Sequence, residues 1–135
     1  MPFTIIVTVK RKAGTTPQQF RDHYNNGHVP LVKRLTGSTW PKHTRQFVIR
    51  NETKPANPDA DKTSNEVWQS EVLRGSPSNV DFDCLTTMVW EDRAAWDRFL
   101  QKFYEHSEEI LADELSFAEP FEIICVEEPV TTDRD

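Results

Sequence analysis

Four histidines, His23, His28, His43 and His106, and two tyrosines, Tyr24 and Tyr104, are the side chains of this sequence best suited to moving protons. An imidazole has an ordinary pKa of about 6.5, so it can both give and take a proton near neutrality. His28 is the first candidate for that work. Phe20, Tyr24, His28, Leu31 and Leu35 recur at helical spacing, and at about 100° per residue they share an arc of about 80° on one helix face. The His28 ring therefore points inward, with the Tyr24 phenol one turn before it and able to donate to a substrate carbonyl. The competing readings are structural: a tyrosine on an apolar stripe packs the core, and a lone histidine bonds a carbonyl freed by Pro30. His43 precedes a strand in WPKHTRQF and can meet the mouth of a pocket as a partner for His28. Arg45, two residues on, presents a guanidinium that could hold a substrate carboxylate or simply solubilise a strand edge. His23 and His28 stand five apart, about 140° round a helix, so they cannot clamp a metal as histidines four apart do. No metal site is expected. His106 and the acidic residues Asp92, Glu108, Glu109, Asp113 and Glu114 read as caps and a solvated helix face.

Composition narrows the chemistry further. The chain has 135 residues, enough for one domain and too few for two cores. Sixteen Lys and Arg against 22 Asp and Glu give a net charge of −6, the wrong sign for a protein that binds by neutralising phosphates, so no nucleic-acid partner is expected. No apolar run approaches the roughly 20 residues of a bilayer span, and FTIIVTV is too short for a signal core, which predicts a cytoplasmic protein without a membrane partner. Only four glycines occur, Gly14, Gly27, Gly37 and Gly75, too sparse for a dinucleotide or phosphate loop. Cys84 and Cys125 show no CxxC spacing and lie in apolar strand-like segments, so both are expected to be buried reduced thiols. Four tryptophans are many for so small a chain, and flat aromatic planes suit flat polycyclic ligands. Trp96 fits a helical core stripe; Trp40, Phe47, Trp68 and Trp90 are the aromatic candidates for contacting a ligand.

The elements that must position these groups follow from periodicity. Phe3, Ile5, Val7 and Val9 alternate as one face of a strand. Thr16, Pro17 and Gln19 form a capping box with proline at the first helical position, so a helix starts there. Asn25-Asn26-Gly27 and Pro30 predict a kink or break before it ends. A second strand is expected from about Thr44 to Arg50, with Phe47 and Ile49 on one face. Residues 51–79, rich in Pro, Asn, Asp and Ser, form a long polar connection, with a short helix anchored by Val67, Trp68, Val72 and Leu73 and with Trp68 as a lid residue. A third strand spans about Val80 to Trp90, then Asp92 caps a helix with the stripe Trp96, Phe99, Leu100 and Phe103. Ser107 restarts a helix, and a last strand carries Phe121, Ile123 and Cys125 opposite Ile124 and Val126. This order is that of an α+β, ferredoxin-like split βαβ domain over residues 1–128, a four-stranded antiparallel sheet with helices on one face, followed by a frayed tail at 129–135. The third and fourth strands would flank the first, too far apart for a Cys84–Cys125 disulfide. The face without helices would carry large apolar side chains, which predicts a homodimer.

The run KRKAGTTPQQFRDHYNNGHVPLVKRLTG resembles the opening signature of the EthD-domain family, in which an (R/K)-K-x-G, a Pro-x-x-Phe helix start, a Tyr and an H-x-P-L segment recur in that order. HTRQFVIRNE and MVWEDRAAWDRFL are similar to the fungal branch of that family. The resemblance spans roughly residues 3–128 and is loosest over 51–79. It implies a dimeric α+β barrel that needs no metal or organic cofactor, with the H-x-P histidine at His28 and the helix tyrosine at Tyr24. This chain carries Gly27 before the histidine, where larger or polar residues are also common.

What the resemblance implies about activity is tailoring of an aromatic polyketide by a decarboxylase or dehydratase. Loss of carboxylate from a β-keto acid needs a donor at the ketone oxygen, and loss of a β-hydroxyl needs a base at Cα and an acid at the leaving oxygen. Two alternatives stand beside the lyase. One is a cofactor-free anthrone-type monooxygenase, with Trp and Tyr lining the pocket. The other is a carrier or accessory protein that binds a hydrophobic ligand without converting it.

Overall fold

The computed structural model describes residues 1–134. Strand β1 (Phe3–Val9) runs through the middle of the sheet, and its alternation sends Ile5, Val7 and Val9 into the core. Antiparallel to it on one side is β5 (Cys84–Trp90) and on the other β6 (Glu122–Val126). The edge strand β2 (Lys42–Phe47) pairs with β5, giving the order β2-β5-β1-β6 expected of a split βαβ domain. Register puts Ile5 beside Met88 and Cys125, and Val7 beside Thr86 and Ile123. All of these side chains therefore share the face that the helices cover.

The first helix begins as the capping box dictates. Gln19 donates its backbone N–H to Thr16 Oγ1 at 3.2 Å, and Gln19 Oε1 accepts the Thr16 N–H at 2.9 Å, with Pro17 at the first position of α1 (Pro17–His23). The helix does not break at the expected interruption. Tyr24–His28 form a single π turn, closed by the N–H of Val29 on the carbonyl of Tyr24, and α2 (Val29–Thr36) continues from it with Pro30 in its first turn. A π turn takes up one extra residue, so the inward stripe changes phase after it. Phe20, Tyr24 and His28 point in as their spacing requires; beyond them it is Val32 and Thr36 that are buried, each one residue later than the expected Leu31 and Leu35.

Helix α3 (Arg93–Glu105) starts on Asp92, whose Oδ1 accepts the Ala95 N–H at 2.8 Å, and buries Phe99 between Trp90, Trp96 and Phe103. Helix α4 (Ser107–Phe117) buries Ile110, Glu114 and Phe117 against the same core. The opposite sheet face has no helix on it and presents Ile6, Leu85, Val89, Ile124 and Val126 among threonines; Ile124 is 56% exposed. Among the described residues, no helix is long and apolar enough to cross a membrane.

Three expectations about local structure are corrected. The second strand lies earlier, at Lys42–Phe47, so Val48 and Ile49 fall outside it, and Ile49 is 59% exposed rather than sharing a strand face with Phe47. The 51–79 connection holds no helix at Val67 to Leu73. Instead β3 (Arg50–Glu52) pairs with β4 (Trp68–Ser70) as a separate two-stranded ladder. Cys84 is buried and Cys125 is exposed, because β6 is the sheet's other edge; both are free thiols.

Besides the buried Val67, the connection is held by charge. Asp83 accepts the backbone N–H of Arg11 at 2.8 Å and the Nε of Arg50, and it lies 3.5 Å from Arg11 Nε. The Arg11 guanidinium then donates to the carbonyls of Thr15 and Thr63 and to Asn65 Oδ1, while that of Arg50 donates to the carbonyls of Trp68 and Phe82. All three charged side chains are nearly fully buried. These contacts offset the cost of burying an Arg–Asp–Arg group, although Arg11 Nε is left without a hydrogen-bond partner of its own.

Candidate active site

Between the helices and the covered sheet face lies a cavity of about 290 Å³. Its floor is Ile5, Val7 and Met88, and its walls are mostly aromatic and aliphatic side chains from α2, α3, α4 and the approach to β6. Against that apolar lining stand five polar side chains, Tyr24, His28, His43, Tyr104 and Glu114. A few convergent polar groups in a greasy hollow is the usual make-up of a small-molecule site.

His28 is 5% exposed and reaches the cavity from the π turn. Its Nδ1 lies 2.9 Å from Oδ2 of Asp113 on α4, so that nitrogen donates to the carboxylate and Nε2 is left with its lone pair toward the hollow. Burial lowers the His28 pKa, opposed by the hydrogen bond and charge of Asp113. The ring is therefore neutral at rest, and the carboxylate behind it stabilises the imidazolium that forms when it takes a proton. The same Asp113 accepts from Nε2 of His23, at 3.1 Å to each oxygen. Gly27 makes room for this: a Cβ there would stand 3.2–3.3 Å from the His23 ring atoms. Gly27 thus has a steric reason.

His43 enters from β2. Arg45 Nη1 donates to its Nδ1 at 3.1 Å, which fixes the proton on Nε2, and Trp40 stacks on the ring at 5.0 Å. Burial, then the charge of Arg45 and then that of His28, push the His43 pKa down to about 4. The two imidazoles flank the Tyr24 ring at 6.0 and 6.2 Å, and their partners put them in opposite tautomers. His28 presents a proton acceptor at Nε2; His43 presents an N–H donor.

Tyr24 is 1% exposed, and its hydroxyl is engaged at 2.6 Å with Thr86 Oγ1 on the floor strand. Burial raises its pKa. The ring borders the cavity while the hydroxyl is bonded into the sheet, so the residue shapes the hollow rather than offering it a free phenol. Arg45 is tied to Asn25 Oδ1 at 2.8 Å and to His43, and it does not border the cavity. Its effect on the site passes through the His43 tautomer, which replaces the expected direct hold on a substrate carboxylate.

The aromatic candidates divide. Trp40 borders the cavity. Phe47 does not: it packs on Phe20 and Tyr24 beneath the Arg21 guanidinium. Trp90 is turned into the aromatic cluster of Phe3, Trp96 and Phe99, and its Nε1 donates to the Thr39 carbonyl at 3.2 Å. Trp96, expected only as core, borders the cavity in its place. Trp68 sits in β4 with Nε1 donating to the Lys62 carbonyl at 3.0 Å, away from the cavity, and no residue of 51–79 borders that hollow. A lid built on Trp68 is thus contradicted by the way Arg11, Asp83 and Arg50 hold the segment elsewhere.

Two functional candidates escaped the sequence reading. Asp113 and Glu114 were expected on a solvated face. Their distances from Ile110 and Phe117 are three and four residues, the inward spacing of a helix, and that was the available signal. Glu114 is 8% exposed; Oε2 accepts the Phe121 N–H at 3.3 Å, and burial raises its pKa. Among the described residues bordering the cavity there is no lysine or arginine to hold that carboxyl ionised.

A family model described as the EthD domain matches residues 12–120, most of the chain. The chain belongs to the EthD domain family. Among solved structures, an EthD-like protein from Ralstonia eutropha is 17% identical, with a TM-score of 0.53 over 91% of this chain and 89% of that one. An EthD family protein from Bacillus halodurans is 14% identical, with a TM-score of 0.54 over 94% and 99%. These likenesses establish the fold that the EthD assignment requires. A slighter one, with a TM-score of 0.48 at 15% identity over 96% and 95%, is to SnoaB, a cofactor-independent oxygenase from Streptomyces nogalater, and it says nothing of this chain's reaction. No curated protein matches the sequence significantly.

Proposed function

We propose that this EthD-domain protein is a cofactor-independent lyase that dehydrates a flat, hydroxylated aromatic or pre-aromatic polyketide. The observation that carries the reading is the His28–Asp113 dyad, with Nε2 free on an aromatic-lined hollow. In the forward step, His28 Nε2 takes the proton at Cα of the substrate, and the β-hydroxyl leaves as water on a proton supplied by the Glu114 carboxyl or the His43 Nε2–H. Base and acid thus come from the chain itself, and positioned groups of this kind each contribute on the order of 10²–10⁴ in rate.

Dehydration is favoured over decarboxylation by charge. A substrate carboxylate in this hollow would lie near the Asp113 charge behind His28 and would meet no bordering lysine or arginine to offset its desolvation. A phenol or alcohol meets no such penalty. The functional unit in this reading is a homodimer, since Ile6, Leu85, Val89, Ile124 and Val126 form an apolar sheet face that a second copy of the chain would cover.

Purified protein incubated with hydroxylated and with carboxylated polyketide intermediates, the products read by mass, tests the reaction. Loss of water supports the reading, and loss of carbon dioxide replaces it with decarboxylation. Turnover that stops under nitrogen would make the protein an anthrone-type oxygenase. Tight binding without any conversion would make it a carrier. Sedimentation of the purified chain tests the dimer.

A further inference from the structure

One carboxylate serves two histidines. Asp113 Oδ2 takes the Nδ1–H of His28 at 2.9 Å and also lies 3.1 Å from His23 Nε2, which is equally close to Oδ1. The two rings face different media: the His28 side chain is 6% exposed and borders the cavity, whereas that of His23 is 37% exposed and opens on solvent. The His23 ring lies on Phe117 with centroids 4.7 Å apart, in the space left by the missing side chain of Gly27. Nothing in the acid/base step proposed above needs His23, yet the π turn, the glycine and α4 together deliver it to the carboxylate on which His28 depends.

We propose that His23 is a positioning residue that sets the proton affinity of His28 from the solvent side, by competing for Asp113. While His23 is neutral, the Asp113 charge is available to the imidazolium that forms at His28. When His23 carries a proton, it neutralises Asp113 and places a second positive charge across the carboxylate, so His28 binds its proton less tightly. The coupling is reciprocal: a proton on His28 weakens proton binding at His23 by the same factor. The other groups facing the pair are Tyr24 from the same helix, Glu114 from α4, and His43 backed by Arg45 from β2. Asp113 favours the protonated form of His28 and His23 opposes it; His28 and His43 oppose each other's protonated forms across the cavity. The physical consequence is a site whose base is stronger with the surface ring neutral than with it charged.

The inference gains its catalytic meaning from the reading of His28 as the base, but the coupling is measured without substrate, so the two can fail separately. The experiment is an NMR titration of the nitrogen-labelled imidazoles in the full chain, comparing wild type with His23→Gln, which keeps a neutral donor at the carboxylate. A like charge one carboxylate away, in partly solvated surroundings, is worth about one pH unit, or about tenfold in proton affinity. The His28 titration should therefore move up by about one pH unit in His23→Gln. Gly27→Ala keeps every titrating group and crowds the His23 ring, whose atoms lie nearest the added Cβ, and it should move His28 in the same direction. A His28 curve in both variants that superimposes on wild type, with the remaining spectrum unchanged, overturns the proposal. Asp113→Asn separates the underlying reading: a lowered His28 titration there leaves the dyad intact even if His23 proves idle, and an unmoved one removes the dyad and the proposal with it.

Discussion

Replacing Asp113 by asparagine isolates what its charge does. Asparagine keeps the shape and one acceptor oxygen but turns the second oxygen into a donor. In the wild type three contacts, at 2.9, 3.1 and 3.1 Å, converge on the two carboxylate oxygens from two ring N–H groups. One amide oxygen cannot serve both rings, so one histidine must face an NH₂ group or change tautomer. If His28 is the loser, its Nε2 becomes the protonated nitrogen and the lone pair turns away from the cavity. A hydrogen bond to a charged group is worth about 1.5–3 kcal/mol, which predicts a fall of roughly 10- to 150-fold in kcat/KM from the lost stabilisation alone, and more if the tautomer reverses. The assay is steady-state turnover of the dehydrated substrate, with KM followed separately, since a ligand that touches His28 and not Asp113 should bind nearly unchanged. Asp113→Asn activity within twofold of wild type, on a folded protein, would refute the dyad as the source of the His28 basicity.

Other expectations follow from burial and charge. His43 is held neutral, with its pKa lowered to about 4, so the folded state binds its proton less readily than the unfolded chain does. Its contribution is therefore fully present above the unfolded value of about 6.5 and is lost as pH falls toward about 4, by up to roughly 3 kcal/mol. In urea melts, the stability advantage of wild type over His43→Gln should shrink across that window, and a flat or growing advantage would contradict the burial argument. Asp83→Ala leaves Arg11 and Arg50 buried without their counter-ion, which should cost about 3–5 kcal/mol in unfolding free energy and expose 51–79 to limited proteolysis. Because no residue of 51–79 borders the cavity, nicking that segment should leave ligand affinity unchanged; a large loss would revive a lid. Tyr24→Phe removes the 2.6 Å bond to Thr86 and should lower stability by about 1–2 kcal/mol while changing kcat less than tenfold. A collapse of kcat would show that the hydroxyl works on substrate.

What the sequence disclosed depended on whether local pattern and tertiary role agreed. Strand β1 and the start of α1 were legible because alternation and the capping box act within a few residues. The stripe through Phe20, Tyr24 and His28 was legible for the same reason, but its continuation was not, since the extra residue of the π turn moved burial to Val32 and Thr36. Strand β2 was misplaced because its inward residues are His43, Arg45 and Phe47, and two of those three do not look like core. The apolar pair Val48 and Ile49 continues the strand-like pattern past the end of the strand at Phe47. The path of 51–79 is set by Arg11, Asp83 and Arg50, which meet across separations of 72 and 33 residues that no local pattern encodes. At the site, the burial of His28 was legible in its helical spacing. The inward turn of Asp113 and Glu114 was not, because their charge masks their helical spacing from Ile110 and Phe117.

His28 as the base is tested most directly by turnover of His28→Gln against wild type, with ligand binding followed in parallel through Trp96, which borders the same cavity. The expected result is a loss of kcat on the order of 10²–10⁴ with binding retained. Equal turnover by the two proteins would contradict it.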